Sequence, residues 1–250
     1  MKKVLVMAVA VVALAVTAMA NDYSVQALES NAVVTAGAGV QKVTGTTTMF
    51  ETVGLNVGLP VTKVNGIVIG AQVGGDVNLE ETKNNRHAFD GDVTAGVFAR
   101  NIVIQGYDIA GAALFNYNNT ADHANLVSFT PIAGVKLTAK DEVGVAGNVG
   151  IVSYRGESVN EDAIGFWTRD WNDQISTQAR IGYQLNHTDC IKGGASAEYR
   201  LTKLISVIAS GDVTANHDYT ASVGFSIGGK GQSGSNLSQI GGTGLTPFSR

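Results

Sequence analysis

Residues 219–227 read YTASVGFSI. Successive side chains of a strand point to opposite faces. Tyr219, Ala221, Val223, Phe225 and Ile227 therefore share one face, and Thr220, Ser222, Gly224 and Ser226 share the other. One face is apolar throughout. The other carries only small side chains, most of them able to hydrogen-bond. A strand of this kind separates an apolar phase from a polar one. The fold follows from how often the pattern recurs and from how the chain turns between its copies.

It recurs almost everywhere from about residue 32. In 49–59, Met49, Val53, Leu55, Val57 and Leu59 oppose Thr52, Gly54, Asn56 and Gly58. In 89–99, Phe89, Val93, Ala95, Val97 and Ala99 oppose Asp90, Asp92, Thr94 and Gly96. In 127–137, Val127, Phe129, Ala133, Val135 and Leu137 oppose Ser128, Thr130, Gly134 and Lys136. In 175–185, Ile175, Ala179, Ile181, Tyr183 and Leu185 oppose Ser176, Gln178, Arg180 and Gln184. Segments of this length match a tilted membrane strand of about 9–11 residues. Strands of a soluble sandwich are shorter, typically about 5–6 residues.

Twelve segments are expected, at 32–43, 47–59, 64–78, 88–99, 102–116, 125–138, 143–154, 163–171, 174–186, 191–200, 204–214 and 219–228. An even count brings both ends of the chain to one side of a closed sheet. On that side short turns are expected at 60–63, 100–101, 139–142, 172–173 and 201–203. Longer polar connections are expected opposite, at 79–87, 117–124 and 155–162. The eighth segment, DAIGFWTRDW, is short and polar. Without it the count is eleven and the termini part, so twelve is the expectation and ten the alternative. Pro131 lacks the N–H that a ladder needs and predicts a bulge.

The composition narrows the classes. The chain opens MKKVLVMAVAVVALAVTAMA. Lys2 and Lys3 precede an apolar core, and Ala18-Met19-Ala20 is an A-x-A site, so 1–20 is expected to be a cleaved signal peptide. Residues 21–31 form a short N-terminal segment before the strands. No later apolar run is long enough for a membrane helix. Without Lys2 and Lys3 the 17 basic residues are further outnumbered by 21 acidic ones. That excess of negative charge argues against nucleic acid as a partner. Cys190 is the only cysteine, which excludes a disulfide framework or a cysteine metal cluster. Gly is abundant at 31 and Pro scarce at 3, consistent with an all-β chain.

The stretch GGASAEYRLTKLISVIASGDVTANHDYTASVGFSIG, 193–228, runs strand, tight turn at Lys203, returning strand and closing strand. With the pattern upstream it resembles the last hairpins of bacterial outer-membrane β-barrel, porin-like proteins. The resemblance spans about 32–228. It implies an up-and-down antiparallel transmembrane β-barrel in the lipid bilayer of the outer membrane, folded there by the barrel-assembly machinery. It does not fix a function, since one fold serves many.

The polar faces supply the candidate site residues. Arg180 and Glu198 share the inner face, and a hairpin centred near 189 would place them opposite each other. Such a cross-strand pair contributes about 0.2–1 kcal/mol. Lys136, Lys192 and Arg200 would share the lumen with Asp90, Asp92 and Asp212 as pore-lining candidates. Mixed signs argue against a strongly selective charged ring. His87, His123, His187 and His217 are expected in connections, with no metal-ligand spacing. Ser153, Asp122, His123 and Asp218 show no catalytic spacing, so no enzyme, metal or cofactor is expected. Gly229-Lys230-Gly231-Gln232-Ser233-Gly234 matches G-x-G-x-x-G, but no helix signal follows to meet a phosphate. Residues 229–250 are expected to be a flexible Gly/Ser-rich tail. Trp167 and Trp171 are expected to anchor at a bilayer edge. The expected function is a narrow passive diffusion pore for small hydrophilic solutes, or a structural envelope barrel. The alternative is a secreted soluble β-sandwich or β-solenoid with a surface or binding role.

Overall fold

The computed structural model describes residues 31–43, 45–82, 87–119, 125–153, 157–185, 190–202, 205–215 and 217–227. They form twelve strands: β1 Asn31–Val43, β2 Thr46–Val64, β3 Ile67–Thr82, β4 His87–Ile104, β5 Tyr107–Asn119, β6 Asn125–Lys136, β7 Asp141–Ser153, β8 Glu157–Asp170, β9 Ile175–Leu185, β10 Cys190–Arg200, β11 Ile205–Thr214 and β12 Tyr219–Ile227. Each pairs antiparallel with its sequence neighbours. The sheet closes where β12 meets β1, from Val34 opposite Ile227 to Lys42 opposite Tyr219. Closure leaves no unpaired edge. A single closed sheet rules out the sandwich and solenoid alternatives. The twelve-strand expectation holds, and the ten-strand alternative falls. Residues 1–20, expected to be a signal peptide, and 229–250, expected to be a tail, lie outside the described residues.

The alternation sorts the two faces. Met49, Val97, Phe115, Val145, Ile181 and Phe225 point outward and are each more than half exposed. Their strand neighbours point inward. Several large inward side chains lie over a glycine directly opposite on the adjoining strand. The pairs are Phe50 on Gly39, Phe98 on Gly70, Leu114 on Gly96 and Phe166 on Gly144. A β-carbon at any of these glycines would run into the side chain lying over it. The missing side chain lets a bulky one lie along the wall.

Several expectations are corrected. The turns expected at 60–63 and 100–101 are register shifts inside longer strands, between Pro60 and Thr62 and between Ala99 and Ile102. Pro60 cannot donate a ladder bond, and Asn101 accepts a φ of 60°. Pairing then resumes and the hairpins run on. They close at Asn65-Gly66 (φ 50° and 88°) and Gln105-Gly106 (φ 52° and 87°). Both central residues have positive φ, the type I′ geometry that suits the twist of two strands. Pro131 makes no bulge. Phe129 opposite Val149 and Ile132 opposite Ala146 keep one register, and Pro131 stays paired with Ala113. Its missing donor faces β7, where the ladder lapses without an extra residue. β8 is a full strand of 14 residues. Its middle blurs the alternation because Ile164 and Phe166 face inward while Trp167 faces outward. Strands also extend into the polar connections expected to be long, leaving only 83–86, 120–124 and 154–156 between them.

The turns expected at 139–142, 172–173 and 201–203 share one construction. The N–H of Leu137, Trp171 and Leu201 donates to the carbonyl of Asp141, Ile175 and Ile205, at 2.9, 3.0 and 2.9 Å. The next side chain accepts from the turn's own backbone. Asn172 Oδ1 accepts from the N–H groups of Gln174 and Ile175, both at 2.8 Å. Thr138 Oγ1 accepts from Lys140 and Asp141, and Thr202 Oγ1 from Ile205. Thr and Asn favour turns because their side chains can stand in for backbone acceptors.

Candidate functional site

The lumen gathers the inward side chains of all twelve strands, and its two sides differ. On β5 to β8 the inner face holds a buried apolar cluster, beside polar residues such as Asp108, Lys136 and Glu142 near the turns. Ala110, Leu114, Ile132, Ala146 and Phe166 form one buried cluster, with Ile164 also buried. On β11, β12, β1 and β2 the inner face carries mostly small polar residues, among them Ser210, Ser222, Gly224, Gly37 and Thr52, with Ile208 and Phe50 as apolar members, all partly exposed. The hydroxyls of Ser210 and Ser222 face each other across β11 and β12 at 2.7 Å. The apolar cluster escapes sequence reasoning because the middles of β5 and β8 are apolar on both faces. Leu114 alternates with Phe115, and Phe166 with Trp167, so period two gives no contrast.

Between these walls stands an ion pair. Arg180 Nη2 on β9 donates to Asp212 Oδ1 on β11 at 2.9 Å. It reaches across β10 at Gly194, which lies directly opposite both Arg180 and Asp212. A β-carbon at Gly194 would collide with the Asp212 carboxylate. Arg180 Nη1 also donates to Gln178 Oε1 at 3.3 Å. The Arg180 side chain is only 1% exposed.

The expected partner was Glu198, and the structure corrects this. Glu198 lies opposite Ser176, and Arg180 lies opposite Gly194. The hairpin is centred two residues earlier than expected. An even shift preserves which face points inward, so the faces were read correctly and the partner was not. Glu198 instead accepts from Ser206 Oγ at 2.7 Å and lies 3.7 Å from Arg200. Arg200 also lies 3.7 Å from Asp170 and donates to the Asp173 carbonyl at 2.9 Å. These groups tie the turn end of the wall together.

The remaining candidates are scattered. Lys136 stands opposite Asp108 on β5 and Glu142 on β7, two acidic residues that sequence reasoning passed over. Lys192 is buried on β10, opposite Thr214. Asp90 and Asp92 take backbone positions on β4 opposite Asn78 and Asp76. Their side chains lie outside the described ones.

His217 sits between β11 and β12, while His87 opens β4 opposite Glu81 rather than lying in a loop. His123, His187 and Asp122 lie outside the described residues. Among the described residues no three His, Cys, Asp or Glu side chains could hold a metal. Trp167 and Trp171 flank the 171–174 turn, both facing outward. Trp167 Nε1 donates to Asp141 at 3.2 Å and Trp171 Nε1 to Thr177 at 3.0 Å. Arg169 pairs with Asp141 and lies over the Trp171 ring at 4.8 Å. Tryptophans with a satisfied N–H and an exposed ring suit a boundary between lipid and water.

Comparison with solved structures defines the class of fold. An outer membrane channel from Pseudomonas putida F1 superposes with a TM-score of 0.60 at 10% identity, covering 83% of this chain and 98% of that one. The KdgM porin in complex with disordered oligogalacturonate superposes with a TM-score of 0.59 at 9% identity, covering 78% and 98%. Outer membrane phospholipase A from Escherichia coli superposes with a TM-score of 0.55 at 10% identity, covering 83% and 93%. The chain therefore has the closed barrel fold of these porins, channels and enzyme. No protein-family model and no curated protein sequence matches it.

Proposed function

We propose that this chain is a passive outer-membrane diffusion pore for small hydrophilic solutes, not an enzyme. The observation that carries the reading is the pairing of two opposite surfaces on one closed sheet. Outside is a belt of exposed Val, Ile, Leu and Phe. Such a belt far exceeds the apolar patches that soluble monomers tolerate. Inside, β11 to β2 present partly exposed hydroxyls and glycines. Strands can cross lipid because backbone polar groups pair with one another around the closed sheet. Porins and channels of the same fold support the reading, and the phospholipase shows why fold alone does not exclude catalysis. An A-x-A leader at 1–20 and the outer-membrane assembly machinery belong to the same proposal.

Liposome swelling tests the proposal. Vesicles carrying the refolded protein should admit small uncharged sugars faster than protein-free vesicles, and the rate should fall as solute size rises. Equal rates with and without protein would leave a structural barrel. Release of fatty acid from phospholipid by the purified protein would make it an enzyme.

A further inference from the structure

We infer that the permeation path runs off-centre, along the β11–β12–β1–β2 wall, and takes uncharged polar solutes. The inference rests on the pore reading. Twelve strands lie between barrels filled by side chains and those wide enough for an aqueous channel, so the side chains decide where water can pass.

They divide the interior unequally. On β5 to β9 most inner positions at mid-height are covered. Leu114 is 2% exposed, and Ile132, Phe166 and Arg180 are each 5% exposed. Arg180 is held in place by Asp212 and Gln178. On β11, β12, β1 and β2 the corresponding positions, Ile208 and Ser210, Ser222 and Gly224, Gly37 and Gly39, and Phe50 and Thr52, are each open to solvent in part. Gly37 and Gly224 lie directly opposite each other at the seam where the sheet closes. Phe50 lies over Gly39, and the glycine, serine and threonine positions beside it stay partly open, whereas Leu114, Ile132 and Phe166 on the far side are buried.

The chemistry of that wall is hydroxyl and backbone, with Phe50 and Ile208 as its apolar members. Asp212 and Asp76 border it; Arg180 engages Asp212 at 2.9 Å, and Asp76 accepts from Thr52 Oγ1 at 3.5 Å. A path lined in this way offers hydrogen bonds to a polyhydroxy solute and has no charged ring to sort ions by sign.

Thiol modification of the conducting protein locates the path. In a Cys190→Ser background, Ser222→Cys and Thr52→Cys sit on the open wall, and Ala146→Cys and Leu114→Cys on the filled wall. Each refolded variant is inserted in a planar bilayer and treated with a trimethylammonium-ethyl methanethiosulfonate. Modification at Ser222→Cys and Thr52→Cys should lower conductance about twofold or more, since a bulky group enters a narrow path. Ala146→Cys and Leu114→Cys should keep their conductance. Retained gel mobility before boiling reports folding, and two positions per wall preserve the comparison if one variant fails to fold. Block from the filled wall, or equal block from both walls, overturns the inference. Absence of current from the unmodified protein overturns the pore reading itself, which is a different result.

Discussion

At the scale of single residues, glycines set what the interior holds. Gly194 lets Arg180 meet Asp212 from two strands away. Breaking such a buried pair by removing one partner costs about 3–5 kcal/mol, because the remaining charge stays buried. Gly194→Val should therefore destabilise nearly as much as Asp212→Asn in urea unfolding. A Gly194→Val midpoint equal to that of the parent would show that the pair does not need this glycine. Gly144 and Gly165 give an internal contrast. A β-carbon at Gly144 would strike the Phe166 ring, whereas at Gly165 the nearest atom lies 3.9 Å away. Gly144→Ala should cost about 1–3 kcal/mol of overpacking, and Gly165→Ala should be close to neutral. Similar losses at both positions would remove the distinction. At this scale the sequence was only half legible. The inward faces of Arg180, Glu198 and Asp212 follow from alternation. Their partners depend on register, and the 186–189 connection carries no residue pattern that fixes it.

At the scale of elements, turns and strands were legible to different degrees. Most strands follow from period two, including β12, whose YTASVGFSI pattern runs its full length from Tyr219 to Ile227, while β8 follows from the even count. Three turns follow from polar residues at their starts. Asn172→Ala removes the acceptor of two backbone N–H groups and should cost about 1 kcal/mol, with the barrel still folding. The two longest hairpins were misplaced because Pro60 and Asn101 read as turn residues, yet each only bends a continuing strand. The signal was present in Asn65-Gly66, a dipeptide that favours positive φ at both positions. Gly66 has a φ of 88°, so Gly66→Val should lower the unfolding free energy by about 1–2 kcal/mol, read as an earlier midpoint. No change would mean that the turn relaxes freely.

For the whole molecule, closure turns a row of amphipathic strands into a wall with two solvents. The apolar outside was legible because it repeats on every strand. The lopsided inside was not, since it depends on which inward side chains are large and on what faces them across the lumen. Residues 229–250 follow the closing strand, and truncation after Gly228 tests their part in assembly. If the closing strand itself carries the assembly signal, the shortened chain should reach the outer-membrane fraction and keep its heat-modifiable mobility. Loss of both would assign the signal to the tail.

The central claim is that the closed sheet encloses a path for polar solutes across a bilayer. Single-channel recording of the refolded protein in a planar bilayer tests it most directly. The expected result is stepwise current, small and nearly ohmic, with a reversal potential close to zero in a salt gradient. Silence at every voltage, from protein shown to be inserted and folded, would contradict it.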